Sequence, residues 1–246
     1  TRLTCHADGV RSQAAKSNYE EYVPYADVFL PEIYPFDDYH DEQCVAEVCR
    51  SMDRCWSDIR KFSGDRACGV WAILQCFHGK SWLRYPTTAE MYATSFAAVV
   101  HGATGMTWFH YQGPTDDPKK RYSGMFNTPE TWACMTNITH RIAALTPVLL
   151  ERTPAQPPVP EIVSGPTADP LGQPSVTALM KIHNDDIYLL AVNAATNSVR
   201  AKFQVPGIRT ATGKVAWEHR TVSLARGEFE DDFDVLGVHV YRFQKQ

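Results

Sequence analysis

The sequence has no long apolar run, no concentration of positive charge and no close cysteine pair. No segment approaches the ~20 apolar residues that a bilayer-spanning helix needs. Lys and Arg number 24 against 28 Asp and Glu, giving a net charge of −4 with both signs spread along the chain. A nucleic-acid surface needs clustered positive charge, and this chain offers none. The seven cysteines contain no Cys-x-x-Cys pair, and no Cys/His spacing matches a zinc site. No internal repeat and no low-complexity tract is present. No initiator Met or signal peptide precedes Thr1, which lies inside what reads as folded sequence. The expectation is a processed product or an excised fragment.

What is there is an ordinary globular composition, 44% hydrophobic and 21% charged over 246 residues. That length suits one large domain or two. Cys44, Cys49 and Cys55 cluster in one segment, whereas Cys5, Cys76 and Cys134 sit in apolar contexts typical of buried thiols. The odd count leaves at least one thiol free or paired outside the chain. One glycosylation sequon occurs at Asn137-Ile138-Thr139. Together these features point to a secreted or extracellular protein carrying disulfides and glycan.

The first ~150 residues alternate strand and helix signals, the pattern of a parallel α/β fold. Strands are expected at 2–6, 27–35, 69–77 and 105–111. The third is too apolar for a wet face, as in a sheet covered on both sides. A helix is expected over about 41–62, with Val45, Val48, Met52, Cys55, Trp56 and Ile59 near helical spacing. Another follows Pro86, where Thr87 and Glu90 have capping-box spacing and Gly102 stands at the far end. Thr128-Pro129-Glu130 starts a third helix, expected to end near Leu145 because of Pro147.

Residues 153–174 are Pro-rich, which is linker chemistry. Beyond them come short strands without helices: 176–182, 187–193, 199–205, 214–218, 220–224 and 238–243. This rhythm predicts an antiparallel β-sandwich over 175–246. The acidic stretch Glu228, Glu230, Asp231, Asp232, Asp234 reads as a solvated turn, since its spacing fits no calcium loop. No metal and no cofactor is expected.

Four strand–helix units are half of an eight-stranded barrel, which takes ~250 residues. The order Ala26-Asp27-Val28…Tyr34-Pro35, Trp71-Ala72-Ile73-Leu74-Gln75, Tyr85-Pro86-Thr87 and His101-Gly102-Ala103-Thr104-Gly105-Met106-Thr107-Trp108-Phe109 resembles the second half of clan A glycoside hydrolases. The ending Gly227-Glu228-Phe229-Glu230-Asp231-Asp232-Phe233…Val238-His239-Val240-Tyr241-Arg242 resembles the close of the β domain that follows many such barrels. The resemblance implies an α/β fold: the second half of a TIM-type (β/α)8 barrel over 1–152, its strands the fifth to eighth, followed by the all-β sandwich. It implies a carbohydrate partner and an N-terminal half-barrel supplied by the same precursor or by a separate chain.

Barrel enzymes build their sites at the C-terminal ends of the strands. Those ends supply His6 and Asp8; Glu32, Tyr34 and Asp37; Gln75; then Trp108, His110 and Tyr111. Aromatic faces stack on sugar rings, and carboxylates and amides bind hydroxyls. Glu32, after an apolar strand, is the candidate catalytic acid; its other reading is a hydroxyl-binding or Arg-paired carboxylate. Trp108 is either the floor of a sugar subsite or a core residue. His6 with Asp8 is an orienting pair or a surface pair. Trp132 reads as helix packing. Gln75 departs from the family, whose retaining members place a nucleophilic Glu at the end of the seventh strand. The chain is thus expected to be a hydrolase, or a catalytically inactive glycan-binding or structural relative. A barrel enzyme acting on a phosphorylated or carbonyl substrate fits less well, since the strand ends lack a Gly-rich phosphate loop and a suitable lysine.

Overall fold

A computed structural model describes residues 5–9, 19–36, 44–64, 66–79, 82, 84–111, 122–155 and 158–244, with side chains described from residue 21 onward. The chain divides into two compact units, 1–135 and 136–246. The division falls earlier than the 152/153 boundary read from the sequence.

In the first unit four strands make a parallel sheet in the order β1 (Cys5–Gly9), β2 (Val28–Ile33), β3 (Gly69–Gln75), β4 (Gly105–Phe109). The short α1 (Tyr19–Tyr22) follows β1, α2 (Cys44–Phe62) joins β2 to β3, and α3 (Thr88–Val100) joins β3 to β4. Strand β1 lies later than the 2–6 expected; residues 1–4 and the start of the expected α2 are outside the described residues. Five of the six apolar positions expected to face inward on α2 are buried: Val45, Val48, Met52, Cys55 and Ile59. The sixth, Trp56, lies at the edge and donates its Nε1–H to Gly102 O at 3.1 Å. The capping box forms as read: Thr87 Oγ1 accepts from Glu90 N, and Glu90 returns to Thr87 N. Gly102 takes φ +87° just past the helix end, where a side chain would strain the turn.

The sheet's two faces differ. Phe29, Ile33, Val70, Ala72 and Leu74 are sealed beneath the helices. The opposite row is half-open: Leu30, Glu32, Ile73 and Thr107 are partly buried, and Trp71 is 39% exposed. The expectation of a strand covered on both sides therefore fails for β3 among the described residues. Its apolar composition comes from a face that the unit's own helices do not reach.

The unit boundary falls inside α4 (Pro129–Leu149), which runs past Pro147 and not only to Leu145. A proline this close to a helix end removes one hydrogen bond and leaves the final turn closed by Leu150 N to Thr146 O.

The second unit carries eight antiparallel strands in one hydrogen-bonded sheet: β5 (Glu161–Ser164), β6 (Val176–His183), β7 (Asp186–Asn193), β8 (Val199–Gln204), β9 (Thr210–Val215), β10 (Arg220–Ala225), β11 (Glu228–Phe233) and β12 (Val238–Phe243). Its order is β5-β8-β11-β10-β9-β12-β7-β6. Strand β5 lies within the Pro-rich stretch. Strands β8 and β12 are four places apart, which in a flat sheet is ~19 Å. Yet the rings of Phe203 on β8 and Tyr241 on β12 sit 6.1 Å apart. The sheet therefore curls until its ends face each other over a core of Phe203, Phe229, Phe233, Tyr241 and Phe243. It bends where pairing is thinnest: one pair, Ala225↔Glu228, joins β10 to β11, and two join β9 to β12. The expected sandwich is thus one sheet folded over on itself.

Two sequence readings in this unit are corrected. Strand β9 spans 210–215, and 216–219 is a turn in which Trp217 and His219 take positive φ. The acidic stretch is a strand and not a solvated turn. Phe229 and Phe233 point inward, while Glu230 and Asp232 pair with Arg200 on the outside. Asp231 turns inward to Arg220 and to the Tyr241 hydroxyl, both at 2.8 Å.

No disulfide joins any of the six described cysteines outside β1, so the disulfide expectation is not met among them. Cys76 and Cys134 are buried thiols as read, and burial pushes the Cys76 thiol up to about 12.

Candidate functional site

The strand register decides which residues meet. Gly9, Glu32, Ile73 and Thr107 are successive cross-strand partners, so they form one row on the half-open face. Two residues further along, Gln75 and Phe109 pair across β3 and β4. Glu32 therefore stands at the C-terminal end of the sheet, on the face that the helices leave uncovered.

Beyond that row an aromatic wall closes the strand exits. Tyr34 lies 5.2 Å from Phe77, 5.7 Å from Phe109 and 6.0 Å from Trp82, centroid to centroid. Phe77 also meets Trp82 at 5.3 Å and Tyr122 at 5.2 Å. Trp82 fixes the wall by donating its Nε1–H to Tyr34 O at 3.0 Å. Burial pushes the Tyr34 hydroxyl well above its ordinary pKa, and the charge of Glu32 pushes it further. Tyr34 stays protonated and able to donate a hydrogen bond.

Gln75 is 3% exposed, behind the wall. Its Oε1 accepts from Phe36 N and its Nε2 donates to Phe77 O, each at 3.1 Å. With both ends of the amide engaged by the backbone, the side chain ties the exit of β2 to the exit of β3. At 3% exposure the amide is not presented to solvent.

Trp108 pairs with Leu74, so it belongs to the helix-covered side and not to the floor of the open face. Its Nε1 is buried with no hydrogen-bond partner among the described residues, as is Nε2 of His110. Burial lowers the His110 pKa, so its imidazole is neutral at neutral pH. His110 stacks 4.4 Å from Phe109 at the edge of the wall. Tyr111 points away into solvent, 58% exposed. In register, His6 sits beside Phe29 and Asp8 beside Pro31, one residue out of step with the Glu32 row. Asp37 lies outside the described residues.

Tyr34 and His110 thus both meet the wall, Glu32 lies on the adjoining row, Gln75 is buried, Trp108 takes the helix-covered side and Tyr111 lies just outside the wall. Phe77, Trp82, Phe109 and Tyr122 escaped the sequence reading. Trp108 and Phe109 are adjacent aromatics, and only register tells which one faces the open side.

In the second unit, a groove of about 650 Å3 runs beside β5 and β8. Its charges are largely paired: Lys202 with Glu161 at 2.6 Å and Gln204 with Glu228 at 3.0 Å. It is a weaker candidate than the sheet end.

No known protein-family model matches the chain, and no curated protein matches it in sequence. Solved structures do. The chain is similar to an α-amylase of Geobacillus thermoleovorans solved with acarbose, at 10% identity and a TM-score of 0.52 over 93% of this chain and 57% of that one. It is similar to an Anoxybacillus α-amylase at 10% identity and 0.53, over 93% and 56%. The chain spans little more than half the length of these relatives. At such identity the likeness is one of fold alone, shared with these two α-amylases.

Proposed function

We propose that the chain is the C-terminal part of a glycoside hydrolase, with a carbohydrate substrate and Glu32 as one of two working carboxyl groups. The observation that carries this reading is the position of Glu32: at a strand's C-terminal end, on the half-open face, two residues before Tyr34 of the aromatic wall. Strand ends of this kind are where barrel enzymes place their catalytic groups. The wall offers apolar faces to a sugar ring, and the Tyr34 hydroxyl offers a donor. The fold shared with two α-amylases, one of them holding acarbose, supports the substrate class.

In this reading the half-open face is the interior of a (β/α)8 barrel. Its other four strands belong to an N-terminal half-barrel, from the same precursor or a separate chain. The length spanned in the amylases and the exposure of Trp71 support this. Glu32 protonates the leaving glycosidic oxygen, and a carboxylate across the cleft acts as nucleophile or activates water. The two groups then lie ~5–5.5 Å apart for retention or ~6.5–9.5 Å for inversion. We place the protein outside the cell, on the sequon and on its substrate class.

Gln75 favours a second reading, a catalytically inactive relative that binds glycan. Where a nucleophile stands in retaining clan A members, this chain has an amide used as a backbone tie.

Reducing-sugar release from maltoheptaose by the intact protein separates the two. Hydrolysis that falls at least ~100-fold in Glu32→Gln supports the enzyme. Hydrolysis unchanged in that variant removes Glu32 from the mechanism. Binding without turnover, equal in both proteins, establishes the second reading.

A further inference from the structure

Outside the wall, three exposed aromatics meet on the surface of the first unit. Tyr111 follows directly on β4, Phe126 lies in the short turn Met125–Asn127, and Trp132 lies in the first turns of α4. They are 58%, 45% and 46% exposed. The Tyr111 ring is 5.4 Å from Phe126 and 5.9 Å from Trp132. The sequence reading of Trp132 as helix packing is thereby corrected, since its ring turns outward onto Tyr111.

We infer that this patch is a second carbohydrate-contact site, taking a soluble glycan chain whose sugar rings turn relative to one another. Three observations carry it. The patch is small: aromatic side chains bury ~150–250 Å2 each, so three half-exposed rings offer roughly 300 Å2. A stable protein partner needs about 800 Å2 per side. One or two sugar rings fit the smaller figure.

The rings are also not coplanar. Tyr111 meets Phe126 at 82° and Trp132 at 62°. A flat crystalline chain cannot lie on all three, whereas a chain that turns between residues presents successive faces at such angles. Finally, the patch is continuous with the candidate site. Phe109 belongs to the wall, His110 stacks on it, and Tyr111 is the next residue out. A chain leaving the Glu32 end of the sheet meets Tyr111 first.

The inference rests on the glycan reading of the sheet end, but its test is separate. Binding of maltoheptaose and of microcrystalline cellulose to the intact protein is compared for wild type, Trp132→Ala and Tyr111→Ala. Maltose, too short to reach both regions, is the control ligand. Expected are maltoheptaose binding at least tenfold weaker in each variant, maltose binding unchanged, and no retention on cellulose. Far-ultraviolet circular dichroism and melting temperature confirm that both variants fold. Trp132→Phe, which keeps a ring, should restore most of the affinity.

Maltoheptaose affinity equal to wild type in folded variants would overturn the inference while leaving any hydrolysis at Glu32 intact. So would cellulose retention that the variants do not reduce. Ring-dependent binding of maltoheptaose without hydrolysis would keep the patch and reject the enzyme reading.

Discussion

The main-chain N–H of Phe36 donates to the side-chain oxygen of Gln75 across 39 positions of sequence, joining two strand exits where an open site would have room for a substrate group. Gln75 is a brace for the wall formed by Tyr34 and Phe77. Removing it leaves a buried N–H and a buried carbonyl without their partner. We expect Gln75→Ala to lose about 2 kcal/mol of stability, read as a lower melting temperature. Gln75→Glu should not create a nucleophile. It sets a carboxylate against the Phe77 carbonyl and should destabilise at least as much.

Asp53 on α2 holds Nδ1 of His101 at 2.8 Å. Burial alone would lower the His101 pKa, but Cys49 and Asp53 outweigh it and raise it to about 10. The unfolded value is ~6.5, so the stabilisation is complete below that pH and lost as pH rises towards 10. Unfolding free energies from denaturant titrations at pH 6 and pH 10.5 should differ, by an amount on the order of 3 kcal/mol. Asp53→Asn should flatten the difference.

The second unit should fail from the acid side. His239 and Arg220 hold Glu218, and Arg220 and Tyr241 hold Asp231, with both carboxyls below their ordinary pKa despite partial burial. Their contribution is present above the unfolded values near 4 and is lost as pH falls through the lower folded ones. Arg220→Ala leaves His239 as the side-chain partner of Glu218 and the Tyr241 hydroxyl as that of Asp231, and should cost about 2 kcal/mol at pH 7. Its acid-unfolding transition, followed by near-ultraviolet circular dichroism, should move to higher pH.

Trp71 lies flat over Gly105, where an added Cβ would meet the indole at 2.5 Å. Gly105→Ala must lift that ring from the half-open face, at about 1–3 kcal/mol. A shift in tryptophan emission together with a lowered melting temperature is the expected result. Emission unchanged from wild type would show that the ring does not rest there.

Order and type of elements in the first unit were legible because their signals are local. Thr87 and Glu90 need only their own turn, and the inward positions of α2 follow helical spacing. The facing of β3 and β4 was not legible. Both strands are apolar on both sides, so nothing in Trp71-Ala72-Ile73-Leu74 or in Trp108-Phe109 marks parity. Glu32 announced itself as a charge at the end of an apolar strand. Phe77, Trp82 and Tyr122 did not, because the wall assembles from three separated segments. In the second unit the acidic residues of β11 masked a strand whose Phe229 and Phe233 alternate correctly. Their charges are matched by Arg200 and Arg220 from neighbouring strands, and composition alone carries no sign of that matching.

The curled sheet has two free edges, and each is guarded against recruiting another chain. At one, β5 is only four residues long, follows Pro160, and shifts register between Ile162 and Ser164. A short, irregular strand is a poor template for edge-on addition. At the other, the longer β6 carries Lys181 on the face opposite Met180 and the aromatic core, buried where its Nζ donates to Glu151 O just past α4. A buried charge there penalises any added strand that would desolvate it further. A sheet that curls rather than closes thus has both of its seams unfit for edge-on polymerisation.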